Sequence, residues 1–110
     1  MIAQLETRAA LENLEAIAAV DGIDALFIGP SDLSADMGFL GQSSHPEVVA
    51  VVDRAIQRIR QTGKVAGILA PSEEYAHHCL GQGCLLVGVG SDLGILARHS
   101  EALAGRFRRG

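Results

Sequence analysis

Residues 24–33, Asp-Ala-Leu-Phe-Ile-Gly-Pro-Ser-Asp-Leu, decide the fold. The apolar run ending at Ile28 is too short for a helix, and its unbroken apolarity suits a strand covered on both faces. Gly29-Pro30 stops it at once. Reading backwards, Asp21-Gly22 closes a helical pattern opened by Thr7, in which Leu11, Leu14, Ile17 and Ala18 recur at spacings of three and four. Met1 to Leu5 is a further short apolar run ahead of it. Reading forwards, Gly29 to Ser44 is a loop. Ser44 with Glu47 three residues on then opens a second helix, carried by Val48, Val49, Val52, Ile56 and Ile59 and stopped by Gly63. A third strand, Val65 to Leu69, leads into a helix opened by Ser72 with Glu73 and Glu74. A fourth, Leu85 to Val89, leads into a last amphipathic helix capped by Ser91 and carried by Leu93, Leu96, Ala97 and Leu103.

Four successive β/α units with no linker or low-complexity segment predict an α/β fold, a single domain over residues 1–110 with parallel strands and right-handed crossovers. An eight-stranded barrel needs twice as many. The expectation is therefore an open four-strand sheet or a partial barrel with two bare edges.

Composition narrows the class. Of 110 residues, 48% are apolar and 20% charged, which excludes disorder. Nine Lys+Arg against thirteen Asp+Glu leave a net charge of −4, and aromatics are only 4%, so a nucleic-acid partner is not expected. The run Arg106-Phe107-Arg108-Arg109 reads as the cationic end of the last helix. No apolar stretch is long enough for a membrane helix and no leader pattern opens the chain, so the reading is a soluble, cytoplasmic protein without a membrane partner. Cys79 and Cys84 lack metal-site spacing and are expected reduced and buried.

In parallel β/α folds, chemistry gathers at the C-terminal ends of the strands. Glu6 follows the first strand and Asp32 the second, placing two carboxylates at adjacent tips. Two carboxylate oxygens, with water and a bidentate substrate completing an octahedron, suit a divalent cofactor, Mg2+ or Mn2+. The same residues also fit a plainer role, Asp32 capping the turn after Gly-Pro-Ser and Glu6 merely exposed. Lys64, the only lysine, enters the third strand from its N-terminal end, the wrong end for Schiff-base chemistry. Gly88-x-Gly90 with Gly94 departs from a dinucleotide fingerprint because residue 93 is Leu. The helix start at Ser91 suits either an anion or a tight turn. His45 reads as a first-turn residue, and His77, His78 and His99 fall on helices of the outer layer.

Taken in order, the stretches QLETRAALENLEAIAAVDGIDALFIGPSDLSADMGFLG, SHPEV, GKVAGILAPSEE and LLVGVGSDLGILAR resemble the HpcH/HpaI aldolase family, the metal-dependent class II pyruvate aldolases. The resemblance runs nearly end to end and matches the C-terminal half of a member. It implies the C-terminal half of a TIM (β/α)8 barrel, a partial HpcH/HpaI domain. It further implies that Glu6, of Gln-x-Glu, and Asp32, of Gly-Pro-x-Asp, hold Mg2+ or Mn2+, and that Gln4, Ser31, Asp32 and Leu69 line the pyruvate end of the substrate.

The implied reaction splits the C3–C4 bond of a 2-oxo acid, the nearest branch of the family acting on 2-keto-3-deoxy sugar acids to give pyruvate and an aldehyde such as tartronate semialdehyde. The charge developing on the keto oxygen falls to the cation, and a base takes the C4 hydroxyl proton. The family's catalytic His and its carboxylate-clamping Arg lie in the N-terminal half and match no residue here, which suggests that Met1 is internal to a longer ancestral strand or that the chain is truncated. A homo-oligomer is also implied. The alternative is a non-catalytic half-barrel that binds metal or pyruvate, or that needs a partner half.

Overall fold

The computed structural model describes residues 1–70, 72–88 and 92–107. Its elements run β1 (Ile2–Leu5), α1 (Arg8–Glu12), α2 (Leu14–Ala18), β2 (Ala25–Ile28), α3 (Pro30–Asp36), α4 (Pro46–Gln61), β3 (Val65–Leu69), α5 (Glu73–Gly81), β4 (Leu86–Gly88) and α6 (Asp92–Phe107). The four strands form one parallel sheet in sequence order, with Leu5 beside Ile28, Ile28 beside Ile68, and Leu69 beside Gly88. Their C-terminal ends therefore share one rim. The α/β reading and the four parallel strands hold.

Alternation along the strands sorts side chains between two faces. Leu5, Leu26, Ile28, Ala66 and Ile68 are buried in the core with Leu11, Leu14, Val48, Val52, Ile56 and Ile59 of the helices. Among the described residues, the helix side chains of that core come from α1 to α5. Across the sheet Phe27 is only half-buried, and Ile2, Leu69 and Leu86 are 55%, 42% and 40% exposed. Thus β2 does not have helices on both sides as its continuous apolarity suggested. Gly67 makes room for Phe27, whose Cδ2 would lie 2.8 Å from a Cβ at that position.

Several helix ends differ from the sequence reading. Thr7 does cap α1, accepting the Ala10 N–H at 3.0 Å, but the helix breaks at Asn13 into α1 and α2, where the Asn13 N–H is shared between the Ala9 and Ala10 carbonyls. The supposed loop Gly29 to Ser44 contains α3, with Pro30 in its first turn, where a missing N–H costs nothing. The start of α4 is capped by His45, not Ser44. His45 Nδ1 accepts the Glu47 N–H at 3.1 Å, and its ring stacks on Phe39 at 4.0 Å, so it stands at the cap and not in the first turn. Gly63 ends α4 in the left-handed region, at φ +80°, where a side chain would be strained. Ser72 caps α5 as expected, accepting the Tyr75 N–H at 3.1 Å. The Ser91 cap and the Val89-Gly90 turn lie outside the described residues. On α6, Leu96, Leu103 and Phe107 are exposed, and Arg106 sits in its last turn. No described helix is long and apolar enough to cross a membrane.

Candidate active site

Gln4 and Glu6 are two residues apart, so strand alternation turns them to the same face, away from the buried Leu5. The Gly29 N–H donates to the Leu5 carbonyl at 3.0 Å, carrying the β1–β2 pairing one step past the strand and pressing the end of β2 against Glu6. A Cβ on Gly29 would meet Glu6 Cγ at 3.2 Å, and both Glu6 Oε1 and Gln4 Nε2 at 3.7 Å. The two side chains thus converge on one bare patch of backbone.

From that glycine the chain enters α3. The Leu33 N–H returns to the Gly29 carbonyl at 2.9 Å, and Leu33 is buried, which roots the helix in the core. Ser34 is fully buried, and its hydroxyl donates to the Ser31 carbonyl at 2.7 Å. Ser31 and Asp32 remain exposed at the rim, Asp32 in the first turn. Leu69 also reaches the rim but leans the other way, its Cδ1 lying 2.8 Å from where a Gly88 Cβ would sit, over β4. Gln4, Glu6, Ser31 and Asp32 are therefore grouped at the ends of β1 and β2, with Leu69 turned to the far strand.

Oxygen donors of this kind suit a hard divalent cation. Among the described residues neither Glu6 nor Asp32 is in an ion pair, and no three His, Cys, Asp or Glu side chains gather closely enough to hold a metal. Two carboxylates fit an ion that takes its remaining ligands from water and substrate, not one caged by protein alone.

Two residues that the sequence reading passed over shape this corner. Gly29 leaves space for Glu6. Asp36, at the end of α3, accepts the Arg8 N–H at 2.8 Å and lies 3.5 Å from Arg8 Nε. The first could be found in the sequence only as punctuation, and the second, 28 residues from its partner, left no local signal.

The other titratable groups lie elsewhere. Lys64 precedes β3, at the opposite end of the sheet from the rim, near Asp24, whose carboxyl is held below its usual range by the Met1 ammonium at 2.6 Å. His78 of α5 binds Asp53 of α4 at 2.9 Å. Cys79 and Cys84 are free and buried, and the hydrogen bond between them, with burial, pushes the Cys79 thiol up. Burial likewise raises Tyr75, whose hydroxyl is buried without a partner among the described residues. A cavity of about 390 Å³ between α1 and α4 is floored by Leu11, Val51 and Ala55 and edged by Arg8, Arg54 and Arg58, two of them already paired with Asp36 and Glu15. Glu12 is the one carboxylate among the described residues that line it.

Comparison with known proteins places these features in context. The model of the HpcH/HpaI aldolase/citrate lyase family matches residues 1–99. A pyruvate aldolase of Rhizobium etli is 53% identical over 97% of this chain and 42% of its own length. A 4-hydroxy-2-oxo-heptane-1,7-dioate aldolase of Klebsiella pneumoniae is 55% identical over 97% of this chain and 40% of its own. The crystal structure of an HpcH/HpaI aldolase/citrate lyase family protein from Burkholderia cenocepacia superposes with a TM-score of 0.87 at 33% identity, covering 98% of this chain and 42% of that one. The chain spans about two fifths of the length of the relatives it matches.

Proposed function

Since the chain belongs to the HpcH/HpaI aldolase/citrate lyase family, we propose that it forms the metal- and pyruvate-binding half of a class II aldolase acting on 4-hydroxy-2-oxo acids. The observation that carries this reading is the convergence of Gln4 and Glu6 on Gly29, at the strand end from which Asp32 follows. Glu6 and Asp32 hold a divalent ion, Mg2+ or Mn2+, which when bound stabilises negative charge on the keto oxygen of the substrate. The Gln4 amide, beside Glu6, donates to an oxygen at the pyruvate end, and the backbone around Ser31 and Asp32 closes the pocket there. Leu69 supplies an apolar wall once turned from Gly88.

Breaking the C3–C4 bond also requires an acceptor for the C4 hydroxyl proton. The family resemblance assigns that task to a histidine of the N-terminal half, so the base belongs to a partner half of the barrel. Within the 4-hydroxy-2-oxo acids, the stretches Gly-Pro-Ser-Asp-Leu, Gly-Ile-Leu-Ala-Pro and Gly-Ser-Asp-Leu-Gly favour 2-keto-3-deoxy sugar acids, cleaved to pyruvate and an aldehyde such as tartronate semialdehyde. Among the described residues one sheet face leaves Ile2, Leu69 and Leu86 exposed and no strand pairs with the outer edges of β1 and β4, which favours a second reading of the isolated chain as a binding module that gains turnover only with a partner half. A cytoplasmic homo-oligomer completes the proposal.

The test is a retro-aldol assay with Mg2+ or Mn2+, run on this chain alone and on the chain joined to the N-terminal half of a family barrel. Sugar-acid and heptanedioate substrates are compared side by side. The chain alone is expected to bind metal and pyruvate with little turnover. In the joined protein, Glu6→Gln or Asp32→Asn should lower kcat by about 100-fold or more. Undiminished activity in both variants removes the metal assignment.

A further inference from the structure

We infer that Asp36 is a positioning residue, setting where the Glu6 carboxylate stands relative to Asp32; the inference rests on the metal reading above for its purpose but not for its geometry. The first N–H groups of a helix have no partner within the helix. In α1, Thr7 takes the Ala10 N–H, and the Arg8 N–H goes instead to Asp36 Oδ2 at 2.8 Å. Helix α1 is thus capped in part by a carboxylate from the far end of α3.

The consequence is a closed four-sided linkage. Asp32 and Asp36 are one turn apart on α3, about 6 Å along the axis and on the same helical face. Glu6 and Arg8 are joined through the single residue Thr7, whose extended backbone (φ −132°, ψ 159°) fixes the corner. The Arg8–Asp36 hydrogen bond forms the third side. With three sides joined, the span from the Glu6 backbone to Asp32 is constrained. Gly29 completes the arrangement by leaving the space beside it into which the Glu6 side chain folds.

Asp36 touches neither ion nor substrate in this scheme. Its carboxylate acts on Glu6 through the backbone of Arg8, with the 3.5 Å approach of Arg8 Nε as a secondary contact. The tether, not the charge, is what positions Glu6. An acceptor of the same shape should therefore serve.

Two substitutions break the tether from opposite ends. Asp36→Ala removes the acceptor. Arg8→Pro removes the donor at the first helical position, where proline is tolerated, and the extended Thr7 is already compatible with a following proline. Asp36→Asn keeps a carbonyl acceptor. The primary measurement needs no metal: the nuclear Overhauser contact between Glu6 Hγ and Gly29 Hα, together with exchange of the Arg8 amide in the Asp36 variants. Asp36→Ala and Arg8→Pro are each expected to lose the Glu6–Gly29 contact, with Arg8 exchange faster in Asp36→Ala, while Asp36→Asn retains both. Mn2+ titration followed by electron paramagnetic resonance should show the dissociation constant rising about tenfold in the first two and by less than threefold in Asp36→Asn, the scale of lost outer-shell support.

Should either tether-breaking variant keep the Glu6–Gly29 contact, the inference fails. It fails equally if Asp36→Asn is as damaging as Asp36→Ala, since the charge would then be the cause. An unsubstituted chain that binds no Mn2+ overturns the metal reading alone, because the Glu6–Gly29 contact still decides the positioning. If Asp36→Ala does not fold, Arg8→Pro carries the decision.

Discussion

On the outer helical layer Arg58 grips Glu15 through two hydrogen bonds of 2.8 and 2.6 Å and His78 grips Asp53 at 2.9 Å, whereas at the rim Glu6 and Asp32 are in no ion pair among the described residues. Both regions carry charge, and the rim has its own Arg8–Asp36 pair, but the Glu6 and Asp32 carboxylates are not engaged in one among the described residues. A carboxylate already paired with arginine is stabilised as it stands and has little left to offer a ligand. One held in place through its backbone, as Glu6 is, keeps its oxygens available. The rim also differs in construction. It is built of one- and two-residue joints between elements, Gly29 between β2 and α3 and Glu6-Thr7 between β1 and α1, so its groups are placed by the strands themselves.

The comparison predicts that stability and site geometry respond to different substitutions. The largest effect on stability belongs to the core beneath both regions. Leu26 is fully buried on β2 between Ala25 and Phe27, and Leu26→Ala should cost about 3 kcal/mol, read as a lowered urea midpoint at unchanged slope. Mn2+ affinity measured well below that midpoint should remain within twofold. A large loss of affinity in a chain that is still folded would show that the rim depends on core packing as well as on its local tethers.

Gly29→Ala reverses the pattern. The backbone there (φ −102°, ψ 91°) is extended, as the following Pro30 requires, and across the sheet the added methyl meets Glu6 Cγ at 3.2 Å. The flexible Glu6 side chain can give way, keeping the stability cost below about 1 kcal/mol, well under that of a core truncation. The displaced carboxylate should weaken Mn2+ about tenfold, or about 1.4 kcal/mol of binding. Equal Mn2+ affinity in the two proteins would mean that Glu6 is not a ligand in its present rotamer.

How much of this was legible in the sequence follows from which signals are local. The four β/α units were readable because strand length, helical spacing and the Gly-Asp-Pro punctuation act over a few residues. Helix α3 was hidden because Gly-Pro-Ser-Asp has the chemistry of a turn, and only the burial of Leu33 and Ser34 reveals that the turn continues. Ser44 fitted a rule written for small oxygen-bearing caps, and the imidazole of His45 reached the same N–H first. The lean of Leu69 depends on the missing side chain of Gly88 in a neighbouring strand, and the Asp36 tether on a residue 28 positions away. Neither leaves a trace in spacing.

The smallest effect tests the outer layer's side of the contrast through pH. Hydrogen bonds from the Arg58 guanidinium hold the Glu15 carboxyl down, from its ordinary 4.5 to about 2. A carboxyl with a folded pKa below its unfolded value stabilises the native state above the unfolded pKa, and that contribution is lost as pH falls through the folded one. The window is therefore about pH 4.5 down to about 2. Both partners stand in solvent, with side chains 36% and 56% exposed, so the effect is small and screened by salt. Glu15→Gln should lower the urea midpoint slightly at pH 6 and bring it level with the parent near pH 2. Added salt should shrink the difference at pH 6. Since neither residue lies at the rim, Mn2+ affinity at pH 6 should be unchanged. A Glu15→Gln variant that loses Mn2+ affinity would show the two regions to be coupled through α2 and α4, and the separation drawn between them would have to be abandoned.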